Sequence, residues 1–138
     1  MGLDMYILRK PNTDDECEVA YWRKANAIHN WMVHNTNYSD DTCMANITRD
    51  NIEELKYDCE DILNKCNVVV RDGNITSFTN TEYVEQNMPT VDGFFFGSLD
   101  YDDWYFRDIV DTVEYCEKIL EKYSEWLDNG ELIYYAWY

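Results

Sequence analysis

A segment near the start of the chain combines aromatic rings with polar side chains of the kinds that bind small anionic ligands. Residues 18–31 read EVAYWRKANAIHNW and contain Arg23, Asn26 and His29 beside Trp22. If this segment is helical, Trp22, Asn26 and His29 stand at positions i, i+4 and i+7 and project together. A guanidinium, an amide and an imidazole beside an aromatic ring suit a nucleotide or another planar anion. The alternative is structural, with the tryptophans at the edge of the core and His29 as a hydrogen-bonded boundary residue.

A second segment, residues 93–98, places three phenylalanines between two glycines. Glycine permits positive φ or a close approach of the backbone, so this loop is a candidate to close over the ligand face. Its contributions would be Phe95 and Ser98, with Tyr101 just beyond. The segment lacks the Gly-Lys-Ser/Thr ending of a phosphate loop and the Gly-x-Ser-x-Gly of a nucleophile elbow. The alternative is a buried strand that leads into a helix cap.

Carboxylates are the third candidate, because the chain has 28 acidic and 11 basic residues and a net charge of −17. Carboxylates spaced along two helices can imitate the phosphates of a duplex. We expect such a surface to occupy the basic groove of a nuclease or another DNA-handling protein. The alternative is a solvated face that keeps the protein soluble. The predicted partner-binding residues are Asp100, Asp102, Asp103, Asp108, Asp111 and Glu114 near one helix start, with Glu54, Asp58 and Asp61 on another helix.

The same charge argues against direct binding of nucleic acid or of anionic membranes. Affinity for DNA and RNA comes largely from Lys and Arg that neutralise phosphates, whereas this chain attracts basic protein surfaces and cations. The five cysteines include no Cys-x-x-Cys pair and the chain has two histidines, which does not favour a zinc site. Nothing in the spacing indicates catalysis. We predict no catalytic residue, no metal and no cofactor.

The chain also lacks the patterns that direct a protein to or across a membrane. No segment approaches the roughly 20 apolar residues of a membrane span. The first residues do not combine a basic region with an apolar one, as a signal peptide would. An odd number of cysteines fits free thiols in a reducing compartment. We therefore expect a cytoplasmic protein.

Hydrophobic periodicity predicts the elements that position these residues. Strands are expected at 3–8, 67–71, 75–78 and 131–137, helices at 15–34, 49–66, 81–87 and 102–127, and a loop at 35–46. Thr48 is the expected cap of the second long helix, without a full capping box because Asn51 replaces Glu or Gln. The order does not alternate as parallel βαβ units do. We predict one α+β domain over residues 1–138, a small and mostly antiparallel sheet with about three helices packed on it, in which the first and last strands are neighbours.

Three segments in combination resemble a family of small, uncharacterised proteins of bacteriophages, prophages and some bacterial genomes. They are MGLDMY at residues 1–6, EVAYWRKANAIHNW at 18–31, and GFFFGS at 93–98 followed by Tyr101 and Asp102. The resemblance spans nearly the whole chain, although the family has Gln-Ser where this chain has Val91-Asp92. It implies a protein that blocks a host defence, such as a CRISPR effector or another nuclease, in the host cytoplasm. We therefore expect an acidic inhibitor that binds a basic host protein, with nucleotide binding or hydrolysis as the alternative.

Overall fold

The computed structural model describes residues 2–10, 18–93 and 97–138, and it confirms the α+β class. The strands are β1 (Asp4–Arg9), β2 (Glu18–Arg23), β3 (Met44–Asn46), β4 (Val69–Arg71), β5 (Asn74–Ser77) and β6 (Leu132–Trp137). The helices are α1 (Asn26–Asn35), α2 (Arg49–Lys65), α3 (Thr81–Asn87), α4 (Asp103–Lys122) and α5 (Ser124–Asp128). None of these described helices is both long enough and apolar enough to cross a lipid bilayer.

Four strands form the main sheet in the order β2-β1-β6-β3, and each neighbouring pair is antiparallel. The expected pairing of the first and last strands is confirmed, with Ile7 opposite Tyr134. β4 and β5 form a separate antiparallel hairpin. Its turn is Asp72-Gly73, and both residues have positive φ, as the tightest hairpin turns require. The main sheet is therefore built around β1 and β6.

One face of the main sheet lies under the helices. Trp22 on β2 and Tyr134 on β6 both point to this face and are almost completely buried. Trp22 contacts α4 through a hydrogen bond from its Nε1 to Oγ1 of Thr112, and Tyr134 contacts α1 through His29. α2 packs extensively against α4. The buried side chains consequently form one continuous cluster between the sheet and these helices.

The opposite face of the sheet carries a row of tyrosines. Tyr6 on β1 stands between Tyr21 on β2 and Tyr135 on β6 in the strand register. The ring centroid of Tyr6 lies 5.2 Å from that of Tyr21 and 6.2 Å from that of Tyr135. Cross-strand aromatic pairs of this kind contribute roughly 0.2–1 kcal/mol each. The row therefore stabilises the sheet across three strands.

The prediction of a helix over residues 15–34 is wrong in its first half. β2 occupies the position of the expected first turns, and the helix begins only at Asn26. Trp22 is buried while Arg23 is exposed, which is the alternation of a strand. β2 pairs along its length with β1, and such pairing overrides the local helical pattern. Residues 11–17, where the expected helix would begin, lie outside the described residues.

Three smaller predictions also need correction. The loop expected at 35–46 ends in β3, a strand too short to show a period in sequence. The helix expected at 102–127 is divided at Tyr123 into α4 and α5, so the four expected helical segments correspond to five helices in the described chain. α2 has a complete capping box, because Oγ1 of Thr48 accepts from the Asn51 backbone N–H and Oδ1 of Asn51 accepts from that of Thr48. The amide oxygen of Asn51 thus does the work expected of Glu or Gln.

Candidate functional site

An open cavity of about 320 Å³ lies where β2 passes into α1 and where the chain enters α4. One wall is the stretch 23–28, a second contains Thr90 and residues 97–98, and a third lies between residues 100 and 109. The polar and aromatic side chains around it are those of Arg23, Lys24, Asn26, Thr90, Ser98, Asp100, Asp102, Trp104, Tyr105 and Asp108. The cavity thus combines residues from two of the sequence-predicted sites.

Asn26, the first residue of α1, binds two residues of the connection between α3 and α4, Val91 and Ser98. Its Nδ2 donates to the backbone oxygen of Ser98 at 2.9 Å, and its Oδ1 accepts from the backbone N–H of Val91 at 3.0 Å. The side chain is buried, with 3 % of its surface exposed. One amide therefore holds two points of the loop against the helix, and this fixes the shape of the cavity.

Lys24 and Gly97 approach each other closely at the cavity wall. Lys24 has a φ of 56° and Gly97 a φ of 91°, both in the left-handed region. A Cβ atom at Gly97 would lie 2.9 Å from Cβ of Lys24, closer than such atoms approach. A lysine in this conformation costs on the order of 1 kcal/mol and persists because its surroundings hold it. The second glycine of the 93–98 segment thus permits contact between the loop and Lys24.

The charges of the cavity are separated by segment. Arg23 and Lys24 belong to the wall that leads from β2 into α1, whereas Asp100, Asp102 and Asp108 belong to the wall that leads into α4. The ion pairs formed among the described residues include neither of the two cations. The cavity therefore has a cationic wall and an anionic wall that do not neutralise each other by direct contact.

Asp108 is a partly buried carboxyl group on the anionic wall. Its burial, together with the neighbouring carboxylates of Asp111 and Asp102, raises its pKa to about 7. Burial also raises the pKa of Asp111. Near neutral pH Asp108 is a mixture of acid and carboxylate, which can donate one hydrogen bond or only accept. A group with this pKa is suited both to recognising a ligand and to transferring a proton.

The residues predicted for a ligand face at 18–31 divide into two groups. Arg23 and Asn26 line the cavity, as does Ser98 from the second segment. Trp22 and His29 are buried in the core instead. They do not project together with Asn26, because Trp22 lies on a strand rather than on the helix.

His29 belongs to a buried aromatic cluster. Its Nδ1 lies 2.7 Å from the hydroxyl oxygen of Tyr134. The rings of Tyr38 and Tyr138 meet its imidazole edge-on, with centroids 5.2 and 5.6 Å away. Burial lowers the pKa of His29 to about 4, so the ring is neutral at physiological pH. This histidine supports the fold.

Tyr101 supports the cavity from behind. Its hydroxyl oxygen accepts a hydrogen bond from the backbone N–H of Thr90 at 3.2 Å, and its ring packs edge-on against Tyr105. It therefore holds the loop and the start of α4 together. Phe95, predicted as a ligand contact, lies outside the described residues.

Sequence reasoning did not select Trp104 and Lys24. Trp104 lines the cavity although 78 % of its surface is exposed, which is unusual for so large an apolar side chain. The available signal was its position in the first turn of α4, off the stripe that Ile109 and Cys116 bury. Lys24 gave no signal, because its positive φ depends on how β2 and α1 meet.

The nine carboxylates predicted for a partner surface serve several different purposes. Asp102 accepts from the backbone N–H of Tyr105 and caps α4. Asp58 accepts from Nε1 of Trp31 at 2.8 Å, and Asp61 accepts from the hydroxyl of Tyr83. The exposed members of the set are Glu54, Asp100, Asp103 and Glu114. The predicted surface thus includes structural acceptors and cavity residues as well as solvated carboxylates.

No cluster of His, Cys, Asp and Glu in the described part of the chain is arranged to hold a metal ion. Comparison with protein-family models, with curated proteins and with solved structures found no match for this chain. The chemistry of the cavity and of the surface is therefore the basis for assigning a function.

Proposed function

We propose that the protein binds a nucleotide in the cavity between α1 and α4. The observation that carries this proposal is a cationic wall, Arg23 and Lys24, in the same cavity as the exposed indole of Trp104. Guanidinium and ammonium groups pair with phosphate, and a nucleobase stacks on an aromatic ring. A volume of about 320 Å³ is at the lower end of the roughly 300–1,000 Å³ of small-molecule sites. A mononucleotide is the ligand class that these features suit.

The way the cavity is held together supports binding. Asn26 ties the loop to α1, and Gly97 packs against Lys24. A ligand that enters an already ordered site loses less of its binding energy to the ordering of side chains and loops. The strained φ of Lys24 belongs to the kind of backbone feature that accumulates at functional sites.

The resemblance to phage-encoded proteins gives this activity a biological setting. A phage-type protein that binds a nucleotide in the host cytoplasm would sequester a signal that activates a host defence. Sequestration needs affinity and no chemical step, which agrees with the prediction that the protein has no catalytic residue.

Calorimetry on the purified protein with a panel of nucleoside monophosphates tests the proposal. We expect at least one of them to bind, and Lys24→Gln to weaken its affinity by about tenfold or more, since a charge-assisted hydrogen bond contributes roughly 1.5–3 kcal/mol. Lys122→Gln is the matched control, because Lys122 is exposed in the last turn of α4 and does not line the cavity. Absence of binding across the panel, or equal losses in the two variants, would exclude the cavity as a nucleotide site.

The outer surface of α2 and α4 favours a second function, that of an inhibitor docking on a basic, nucleic-acid-handling host protein such as a CRISPR effector or another nuclease. These two helices pack side by side. Their exposed carboxylates are those of Asp50, Glu53, Glu54 and Glu60 on α2, and of Asp103, Glu114, Glu117 and Glu121 on α4. Two neighbouring rows of negative charge can compete with nucleic acid for a basic groove.

Competition with DNA for a purified basic nuclease tests this second function. Inhibition should weaken as salt is raised, because screening acts on exposed charges. Replacing Glu54, Glu114 and Glu117 together with lysine should abolish it, whereas Lys24→Gln should leave it unchanged. The reverse pattern would assign inhibition to the cavity and not to the acidic helices.

A further inference from the structure

The anionic wall of the cavity has no role in holding phosphate. Asp100, Asp102 and Asp108 contribute to it, and none of the residues that line this wall is basic. A phosphate placed against these carboxylates would be repelled, so the phosphate must lie on the side of Arg23 and Lys24. The other end of the nucleotide, its base, then faces the anionic wall.

Two carboxyl groups on this wall are available to a ligand, those of Asp100 and Asp108; Asp100 is exposed to solvent, whereas Asp108 is half-buried. Asp102 already uses one oxygen to cap α4. In the described residues no donor forms a hydrogen bond to the carboxyl group of Asp108; only its backbone oxygen is engaged, by Oγ1 of Thr112. Because Asp108 is half-buried, a hydrogen bond from a ligand is stronger there than at the exposed carboxyl group of Asp100.

The hydrogen-bonding pattern of a carboxylate restricts which base can face it. An ionised carboxylate only accepts hydrogen bonds, through two oxygens side by side. The Watson–Crick edges of adenine and cytosine each place an acceptor nitrogen beside the amino donor, and that of uracil has a single N–H between two carbonyls. Guanine alone presents two adjacent donors, N1–H and the 2-amino group. These match both oxygens of one carboxylate.

We infer that the site selects a guanine nucleotide, with Asp108 as the residue that determines base specificity. This inference rests on the proposed nucleotide function. In the complex, both oxygens of Asp108 accept from the guanine edge, the base lies beside Trp104, and the phosphate lies against Arg23 and Lys24. Asp108 thereby gains the hydrogen-bond donors that it lacks within the chain.

Guanine binding should depend on pH, because the accepting form of Asp108 is the carboxylate. The charged and titratable groups that act on it are Asp102, which caps α4, and Asp111 and Tyr105 on α4. Asp100 on the preceding segment, and Arg23 and Lys24 on the cationic wall, line the same cavity. Since the pKa of Asp108 is about 7 before binding, its ionised fraction rises about tenfold between pH 6 and pH 8. The preference for guanine should rise by a similar factor.

The test compares two ligands that differ by one amino group, guanosine monophosphate and inosine monophosphate, by calorimetry on the full chain. Both carry the same phosphate, so its own titration cancels in the ratio of their affinities. We expect guanosine monophosphate to bind about tenfold more tightly at pH 8 and the ratio to approach one at pH 6. Asp108→Asn should reduce the ratio at pH 8 to less than about threefold, and Asp103→Asn, an exposed neighbour on α4, should not.

The two proposals fail in different ways. If inosine monophosphate and adenosine monophosphate bind wild-type protein as tightly as guanosine monophosphate, base selection by Asp108 is wrong and nucleotide binding stands. If none of the three binds, the proposed function itself is wrong. Because the comparison of ligands is made first on the unchanged protein, its outcome does not depend on whether Asp108→Asn folds.

Discussion

The aromatic cluster around His29 and the cavity around Asp108 place a titratable group in opposite situations. His29 has its hydrogen-bond partner within the chain, the hydroxyl of Tyr134, and aromatic rings surround it. The carboxyl group of Asp108 has other carboxylates as neighbours and no donor in the described residues. Burial disfavours the charged form of both groups. A polar group that is satisfied internally serves the fold, whereas a half-buried one that lacks a donor in the described chain can accept hydrogen bonds from a ligand.

The two regions also have opposite effects on stability as pH changes. The pKa of His29 is about 4 when folded, below the 6.5 of an unperturbed histidine, so acid favours the unfolded state over this interval. The pKa of Asp108 is about 7 when folded, above its usual 3.8, so rising pH favours the unfolded state as the carboxyl group ionises. Between about pH 4 and pH 7 the two contributions oppose each other.

The largest effect should separate two adjacent residues, Trp22 in the core and Arg23 in the cavity. Trp22→Ala removes a buried indole and its hydrogen bond to Thr112, and should lower the free energy of unfolding by about 3–5 kcal/mol. Arg23→Ala should change it by less than about 0.5 kcal/mol and weaken nucleotide binding instead. Urea unfolding and calorimetry measure both quantities. Equal destabilisation by the two variants would contradict the division between fold and site.

The next largest effect should come from acid. Protonating buried His29 should cost up to about 3 kcal/mol of unfolding free energy as pH falls from 6.5 to 4. Urea unfolding across this range should show that His29→Gln is less stable than wild type at pH 7. The free energy of unfolding of this variant should also fall much less between pH 6.5 and pH 4. His34→Gln is the control, since His34 is exposed on the same helix. An unchanged acid dependence in His29→Gln would mean that the imidazole is not responsible.

Asp108→Asn should act in the opposite direction and raise stability. At pH 8 the wild-type carboxylate is ionised while partly buried, so the neutral amide should increase the free energy of unfolding by about 2 kcal/mol after allowance for its solvent contact. The gain should shrink toward pH 4, where the wild-type group is neutral. Thermal and urea unfolding at both pH values test this. A gain of the same size at pH 4 would assign the effect to packing.

The smallest effect should distinguish two glycines that both have positive φ. Gly97→Ala and Gly130→Ala should each cost about 1 kcal/mol for the left-handed conformation. Only at Gly97 does the added methyl group meet Lys24, whereas at Gly130 it meets open space. Gly97→Ala should therefore lose about 1 kcal/mol more and bind nucleotide less tightly, as urea unfolding and calorimetry will show. If the two variants lose equal stability and both bind nucleotide as wild type does, the contact between Gly97 and Lys24 does not shape the site.

The sequence predicted those parts of the fold that depend on local pattern. The alternation of Leu3, Met5 and Ile7 identified β1, and the stripe from Ile52 to Ile62 identified α2. β2 was missed because the sequence of residues 18–23 is also compatible with a helix. Pairing with β1 decides that this segment is a strand. Such pairing lies beyond what a window of neighbouring residues contains.

The candidate site was only partly predictable for the same reason. Arg23, Asn26 and Ser98 were selected by their chemistry, but their convergence depends on the tertiary contact between Ser98 and the start of α1. The raised pKa of Asp108 depends on its burial in the folded chain, which the sequence does not show. From the sequence alone, Asp108 was therefore grouped with exposed acids. Side-chain type is visible in the sequence, whereas separation of charge across a cavity is not.

The central place of β6 has a practical consequence. This strand lies between β1 and β3, so the four-stranded sheet cannot be completed until residues 132–137 are present. Ribosomal synthesis must therefore expose this segment before folding can finish, and a chain truncated at residue 131 should stay unassembled. A synthetic peptide that carries the missing strand should restore the molecule by donor-strand complementation. The protein is thus a natural candidate for a two-piece reporter.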